Sequence, residues 1–407
     1  MKRLQSQLLG ICLATVAIFT LGVCASLCAM TQRAAAAEAR AAALVGQPKR
    51  VVAYLASWSV PPVIYADQFS DVNFAFAHID KNGRAVFEQP GVADTLRQLR
   101  LLKKQSPKLR ILASVGGWHA EGFSDAALTD ASRQAFARSV VQLLRDYSLD
   151  GVDLDWEYPG QGVAGIKYRS EDKHNFTLLL RTTREQLNAA STAQRRTGRE
   201  RYLLTIAAAD REYLEHTEMD KVPAYLDWIN LMSYDFFNSL TRTTGHHAGL
   251  YPSRFAAPAD RNADAAVKQY LAAGVPADKI VLGVAFYGRG FTGVVPVHNG
   301  VNEPYQRFEG EHSYAELVDK FIGKQGFTRY WDETAQAPYL WNSASRTFIS
   351  YDDPQSIAIK SQYVLEHRLG GVMFWELSQD HDGELLQVVV NQLRTVAPLN
   401  AQMHPQR

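Results

Sequence analysis

Four acids in one short run, Asp150, Asp153, Asp155 and Glu157, are the residues of this sequence best spaced for chemistry. From Asp153 onward they recur at every second position, with Val152, Leu154 and Trp156 interleaved. Side chains alternate faces along a β-strand, so Asp153, Asp155 and Glu157 share one face and the apolar residues the other. Carboxylates held about 6 to 7 Å apart along a strand repel when ionised, and at least one then keeps its proton near neutral pH. A carboxyl protonated at neutral pH is a general acid. A solvated acidic face or a metal site would give similar spacing. A solvated loop, however, has no need of Val, Leu and Trp, and no histidine lies nearby in sequence to extend a ligand set.

Such a row needs a rigid support, and the rest of the chain supplies one. Short apolar or β-branched runs predict strands at 51–54, 72–77, 109–116, 151–157, 202–208, 228–234, 280–287 and 371–375. Between them, apolar residues recur at helical spacing over 92–104, 132–147, 176–190 and 265–273. Eight strands with intervening helices favour an α/β fold, a (β/α)8 TIM barrel, over an open doubly wound sheet. The interval before the last strand is too long for one helix. A helical pattern at 314–324 and short strands at 339–341 and 347–351 predict a small α+β insertion over about 291–350.

Active sites of such barrels lie at the C-terminal strand ends, and here those ends are rich in aromatic and polar residues. They carry Tyr54, Phe76, the run Ser114 to Trp118 with Gly117 in it, the acids, Met232 to Asp235, Tyr287 with Arg289, and Trp375 with Glu376. One such aromatic would read as core; their recurrence at one end of successive strands reads as a ligand surface. Other motifs carry less. Gly288 to Gly293 matches GxGxxG, but Val294, Val295 and Pro296 follow it where a nucleotide site needs a helix. His246-His247 reads as part of a polar loop in preference to a metal site, and the sequon at Asn175 opens a helical pattern and is incidental.

At these residues the chain resembles the family 18 glycoside hydrolases, the chitinase family. The resemblance rests on DxxDxDxE at Asp150, Asp153, Asp155 and Glu157, on SVGGW at 114–118, MSYD at 232–235, FYGRGF from Phe286, and Trp375, and spans about residues 50–395. It implies that Glu157 protonates the glycosidic oxygen, that Asp155 orients the substrate's N-acetyl group, that Asp153 shares a proton with Asp155, and that Tyr234 donates to the same acetamide. The acetamide oxygen then acts as the nucleophile, the substrate-assisted exception to the two-carboxylate scheme. The resemblance further implies Trp375 as the floor under the cleaved sugar and Trp118 as a platform on the leaving side. Tyr54, Phe76, Gly117, Met232, Asp235, Tyr287 and Arg289 complete the substrate contacts. Asp150 and Ser114 are expected to support the acid row. The expected partner is chitin or a chitooligosaccharide, with no cofactor and no metal. One departure stands out: where many members carry a tryptophan after the tyrosine motif, this chain has Leu240. That favours soluble chains over crystalline substrate.

Composition is consistent with a neutral partner. The 43 basic and 42 acidic residues leave no field that would attract nucleic acid. At 407 residues and 46% hydrophobic the chain can bury a large core, and a monomer is expected. Residues 1–36 read as a signal peptide: Lys2 and Arg3, an apolar stretch from Leu8 to about Met30, then Ala34 to Ala37. An uncleaved membrane anchor is the alternative. Cys12, Cys24 and Cys28 all lie in that stretch, so the mature, secreted or periplasmic protein would lack cysteine. Residues 37–48 then form a linker, 49–397 the catalytic barrel and 398–407 a tail. Two other functions fit the same residues: a chitin-binding lectin on this barrel, or a hydrolase of another N-acetylhexosamine glycan.

Overall fold

The computed structural model describes residues 48–394. The signal segment, the three cysteines, nearly all of the linker and the tail lie outside the described residues. Eight parallel strands close into a barrel. Seven come first: β1 (Arg50–Ala56), β2 (Asp71–Ile79), β3 (Arg110–Gly116), β4 (Gly151–Asp155), β5 (Leu203–Ala208), β6 (Trp228–Leu231) and β7 (Ile280–Ala285). The eighth, Gly371–Trp375, pairs with both β7 and β1 and so closes the ring. Every expected barrel strand is present. Three stop short at their C-terminal ends: β4 at Asp155, β6 at Leu231 and β7 at Ala285. There the chain leaves the ladder to present side chains over the barrel mouth.

Alternation along each strand divides the apolar residues between two layers. Val152, Leu154 and Trp156 point outward, where the Trp156 indole stacks on Phe123 at 5.2 Å and meets Phe176 edge-on at 5.5 Å. Cutting so deeply buried a tryptophan back to alanine costs about 3 to 5 kcal/mol. Val52, Leu112, Leu203, Trp228, Val281 and Met373 fill the interior, so the barrel is a packed core and not a pore. Its floor is closed by the Arg50 and Arg110 guanidinium groups, 4.7 and 5.3 Å from the Trp228 ring. Arg110 also pairs with buried Asp71 at 2.6 Å.

The helices follow their caps. Asp130–Asp146 begins where Thr129 and Ser132 exchange side-chain-to-backbone hydrogen bonds. Pro354–Glu366 is opened by Asp353, which accepts from the Gln355 and Ser356 amides, with Pro354 in the first turn.

The insertion begins earlier than the sequence suggests. Five antiparallel strands, β8 (Tyr287–Thr292), β9 (Arg307–Ser313), β10 (Thr328–Asp332), β11 (Ala337–Asn342) and β12 (Thr347–Tyr351), form a second sheet in the order β9-β8-β12-β11-β10. The run expected to end strand seven at Tyr287 is therefore split: Phe286 lies between the two sheets, and Tyr287 opens β8. The expected helix from Tyr314 lasts one turn and widens into a π turn over Leu317–Phe321. The Lys324 ammonium then takes the Val318 and Asp319 carbonyls at 3.0 and 2.9 Å.

The loop that follows β6 is bonded to the insertion at several points. Thr244 donates its amide to the Glu303 carbonyl at 2.9 Å, and the Tyr305 hydroxyl donates to the Thr241 carbonyl at 2.7 Å. Asp332 accepts from Ser253 at 2.6 Å and faces the His246 Nε2 at 3.1 Å.

Candidate active site

Asp153, on the inner face of β4, is fully buried and takes four donors from four other strands. Tyr54 (2.8 Å) and Ser114 (2.9 Å) donate to Oδ2, and Thr205 (2.6 Å) and Asn230 (3.1 Å) to Oδ1. Asn230 in turn accepts the Trp228 indole N–H at 2.9 Å. Burial pushes the Asp153 carboxyl upward, against the pull of these donors. The strand register makes the convergence possible, since Ser114, Asp153 and Thr205 are direct neighbours across β3, β4 and β5. Thr205 and Asn230 escape a sequence reading that looks only at strand ends. Their signal is a single polar residue inside an otherwise apolar run.

Two residues on, Asp155 is buried too, but its Oδ1 makes no hydrogen bond among the described residues. Burial, then the charges of Glu157 and Asp153, hold its carboxyl well above the usual range. Glu157 is half-buried past the end of β4. Burial raises it to about 7, with the Tyr158 hydroxyl opposing and the charge of Asp235 adding. Protonation in the acid row, expected from spacing alone, thus has a stronger physical cause in desolvation than in mutual repulsion.

Tyr234 stands beside these acids. Among the described residues its hydroxyl is engaged only by the Met373 sulfur at 3.6 Å, a weak acceptor. Gly283 makes the space for its ring, because a Cβ there would lie 2.9 Å from it. Next to it, Asp235 adopts a left-handed backbone, φ 58°, and receives both Nε and Nη2 of Arg289 at 2.7 Å. Burial works to raise Asp235, yet Arg289 and His247 outweigh it and hold the carboxylate well below its usual range.

The aromatic surface is continuous. Trp375 stacks on Phe76 at 5.7 Å and lies tilted on Tyr54 at 5.7 Å, with Trp58 at 6.3 Å extending the row. Gly117 is required here. Its φ is +96°, and a Cβ would sit 2.7 Å from the Phe76 ring. Met232 packs against the inner core beneath the floor. On the other side Trp118 is 46% exposed and meets Tyr158 edge-on at 6.2 Å. Tyr287 meets Tyr234 edge-on at 6.1 Å.

The structure therefore gathers all the expected site residues at one end of the barrel, with corrections. Tyr287 and Arg289 come from β8 of the insertion and not from the seventh barrel strand. Asp150 lies at the opposite end of β4, where it accepts from Lys103 and the Ile111 amide, so it anchors the strand and not the acid row. The His246-His247 pair does lie in the loop after β6, but both rings are buried, at 4% and 0% exposure, and His247 Nδ1 lies 3.6 Å from Asp235. Gly288 to Thr292 is strand, and no helix directly follows it, as the sequence implies. Trp58, 67% exposed in the loop after β1, was not singled out by the sequence reading. Leu240 is 65% exposed.

Chemically, the arrangement holds one carboxyl poised to give a proton near neutral pH, beside a second buried acid and a free tyrosine hydroxyl. Around them aromatic faces suit pyranose rings. The model of glycosyl hydrolases family 18 matches residues 50–380. Chitinase A1 of Niallia circulans is 40% identical over 362 residues, covering 84% of this chain and 49% of that protein, so the chain spans about half the length of that relative. Chitinase B of Serratia marcescens is 31% identical over 385 residues, 79% of this chain and 75% of that one. The solved family 18 N-acetylglucosaminidase from Paenibacillus barengoltzii superposes with a TM-score of 0.79 at 42% identity, covering 84% of this chain and 99% of that one. On the motifs, the barrel and these matches together, the chain belongs to glycosyl hydrolases family 18.

Proposed function

We propose that this protein hydrolyses β-1,4 bonds of chitin or chitooligosaccharides by substrate-assisted, retaining catalysis. The observation that carries the reading is the pairing of Glu157, protonated up to about pH 7, with the unbonded Oδ1 of buried Asp155 and the nearly free hydroxyl of Tyr234. Glu157 gives its proton to the glycosidic oxygen as the C1–O bond breaks. The acetamide carbonyl oxygen of the same sugar closes on C1, and Asp155 takes the acetamide N–H while Tyr234 donates to the carbonyl. Glu157, now ionised, accepts a proton from the water that opens the oxazolinium ring, and the acid is restored. Asp153 holds Asp155 in its charge state, Trp375 floors the distorted sugar, and Trp118 supports the leaving side. Both chitinase relatives favour this substrate class, and the exposed Leu240 favours soluble chains.

Digestion of chitooligosaccharides of defined length, followed by proton NMR of fresh products, tests the reading. Initial β-anomer with N-acetylglucosamine at each new reducing end is expected; initial α-anomer refutes the mechanism, and intact oligosaccharides refute the function. Release of single sugars alone would place the activity with that of the N-acetylglucosaminidase relative. We further propose export through residues 1–36, which mass spectrometry of the exported protein tests: a first residue between 31 and 38 is expected, and a full-length membrane-held species refutes it.

A further inference from the structure

His247 is a fully buried titratable group in contact with the site that the mechanism above does not use. Three elements fix it. Its amide donates to Ser350 Oγ of β12 at 2.9 Å, its carbonyl accepts the Phe236 amide at 3.0 Å, and its ring lies tilted on Tyr287 of β8 at 5.1 Å. Among the described residues neither ring nitrogen has a hydrogen-bond partner within normal distance, but Nδ1 faces Asp235 Oδ1 at 3.6 Å.

The charges around it alternate. Asp235 is clamped by Arg289, which also reaches Glu311 at 3.4 Å. Asp352, whose charge also acts on the ring, is paired with Lys360, both fully buried, with both carboxylate oxygens 2.6 Å from the ammonium. The imidazole thus feels two ion pairs that are already complete. Burial and Arg289 disfavour a cation there, while Asp235 and Asp352 draw one. A neutral ring with its hydrogen on Nδ1 satisfies this setting: it turns an N–H dipole toward Asp235 from 3.6 Å without adding a third charge.

Resting on the proposed function, we propose that His247 is a positioning residue: its Nδ1–H steadies the Asp235 carboxylate, and through it the Tyr234 hydroxyl and the proton on Glu157. Asp235 adjoins Tyr234 in sequence, and its charge acts on Glu157. A carboxylate held by Arg289 alone could pivot about that clamp. A displacement of about 1 Å near reacting groups is enough to slow an enzyme by up to about 10²-fold.

Two measurements test this. The first reads the ring directly by nitrogen-15 NMR of the histidines, with His247 assigned by the signal lost in His247→Asn. The Nδ1–H tautomer is expected at pH 7, with a titration midpoint below the ordinary histidine value that falls further in Asp235→Asn. An unchanged midpoint in Asp235→Asn overturns the proposal. The second is kinetic: His247→Leu should lower kcat about tenfold with KM within about twofold, and His247→Asn, which restores an N–H donor, should recover most of the loss. A folded leucine variant with wild-type kcat, or an asparagine variant as slow as the leucine one, overturns it. If the leucine variant does not fold, the asparagine variant and the ring titration decide. The NMR arm needs no turnover, so a wild type inert toward chitooligosaccharides would remove the proposed function and leave the Asp235 to His247 coupling to stand or fall alone.

Discussion

Replacing Glu157 by Gln should stop turnover and at the same time stabilise the protein in alkali. The carboxyl lies at about 7 in the fold against an ordinary 4.5, because it is buried. The native state therefore prefers the protonated form. Its full stability is present below about pH 4.5, and part of it is lost as pH rises through 7. The gap from 4.5 to about 7 is about 2.5 pH units, which at about 1.4 kcal/mol each makes roughly 3 kcal/mol of destabilisation above pH 7. Glutamine cannot ionise and avoids that loss. A domain of this size unfolds with an entropy of roughly 0.7 kcal/mol per kelvin, so the variant should melt about 4 °C higher at pH 8 and at nearly the wild-type temperature at pH 4. Loss of the transferable proton should lower kcat about 10²- to 10⁴-fold. Calorimetry at the two pH values and digestion of an unactivated chitooligosaccharide check both halves. An equal change in melting temperature at pH 4 and pH 8, or retention of more than about a tenth of the activity, would refute the assignment of Glu157 as a buried, protonated acid.

Three further outcomes are expected. The alkaline limb of kcat/KM should fall near pH 7, and Asp235→Asn should move it to lower pH, because the carboxylate charge that helps keep Glu157 protonated is removed and Arg289 is left unpaired; a pH–rate series shows it. Thr205→Val keeps the side-chain shape but deletes the 2.6 Å donor to Asp153 Oδ1, and should lower kcat/KM about tenfold, the scale of one hydrogen bond to a charged group, with the melting curve as control. Gly117→Ala places a methyl group 2.7 Å from the Phe76 ring at φ +96°; it should cost about 1 to 3 kcal/mol of stability and raise KM by disturbing the stack under Trp375, which calorimetry and steady-state kinetics measure.

Much of this site can be read from the sequence because it is written along strands. Asp153, Asp155 and Glu157 are placed by the two-residue period alone, and the interleaved Val152, Leu154 and Trp156 announce the opposite face. What a linear reading misses is register and return. Thr205 and Asn230 matter because β5 and β6 bring them level with Asp153, a property of pairing that no single strand contains. Tyr287 and Arg289 look like the end of a barrel strand because an apolar run crosses the boundary between two sheets without a turn residue. His247 looks solvated because its neighbours in sequence are polar or small. Its burial comes from β8 and β12, which lie about 40 and 100 residues further on.

The bonds between the loop after β6 and the second sheet define what can be exchanged in this molecule. A graft that removed only residues 287–351, to make a shallower cleft, would leave His246 and Thr244 in the recipient without the Asp332 and Glu303 groups they face. It would also carry away Arg289 and leave Asp235 without its clamp. The segment that can be transplanted with its polar groups still matched therefore begins at the end of β6. In recombination between related barrels, crossovers near residue 232 and after β12 should give folded chimeras more often than crossovers at the visible edges of the insertion.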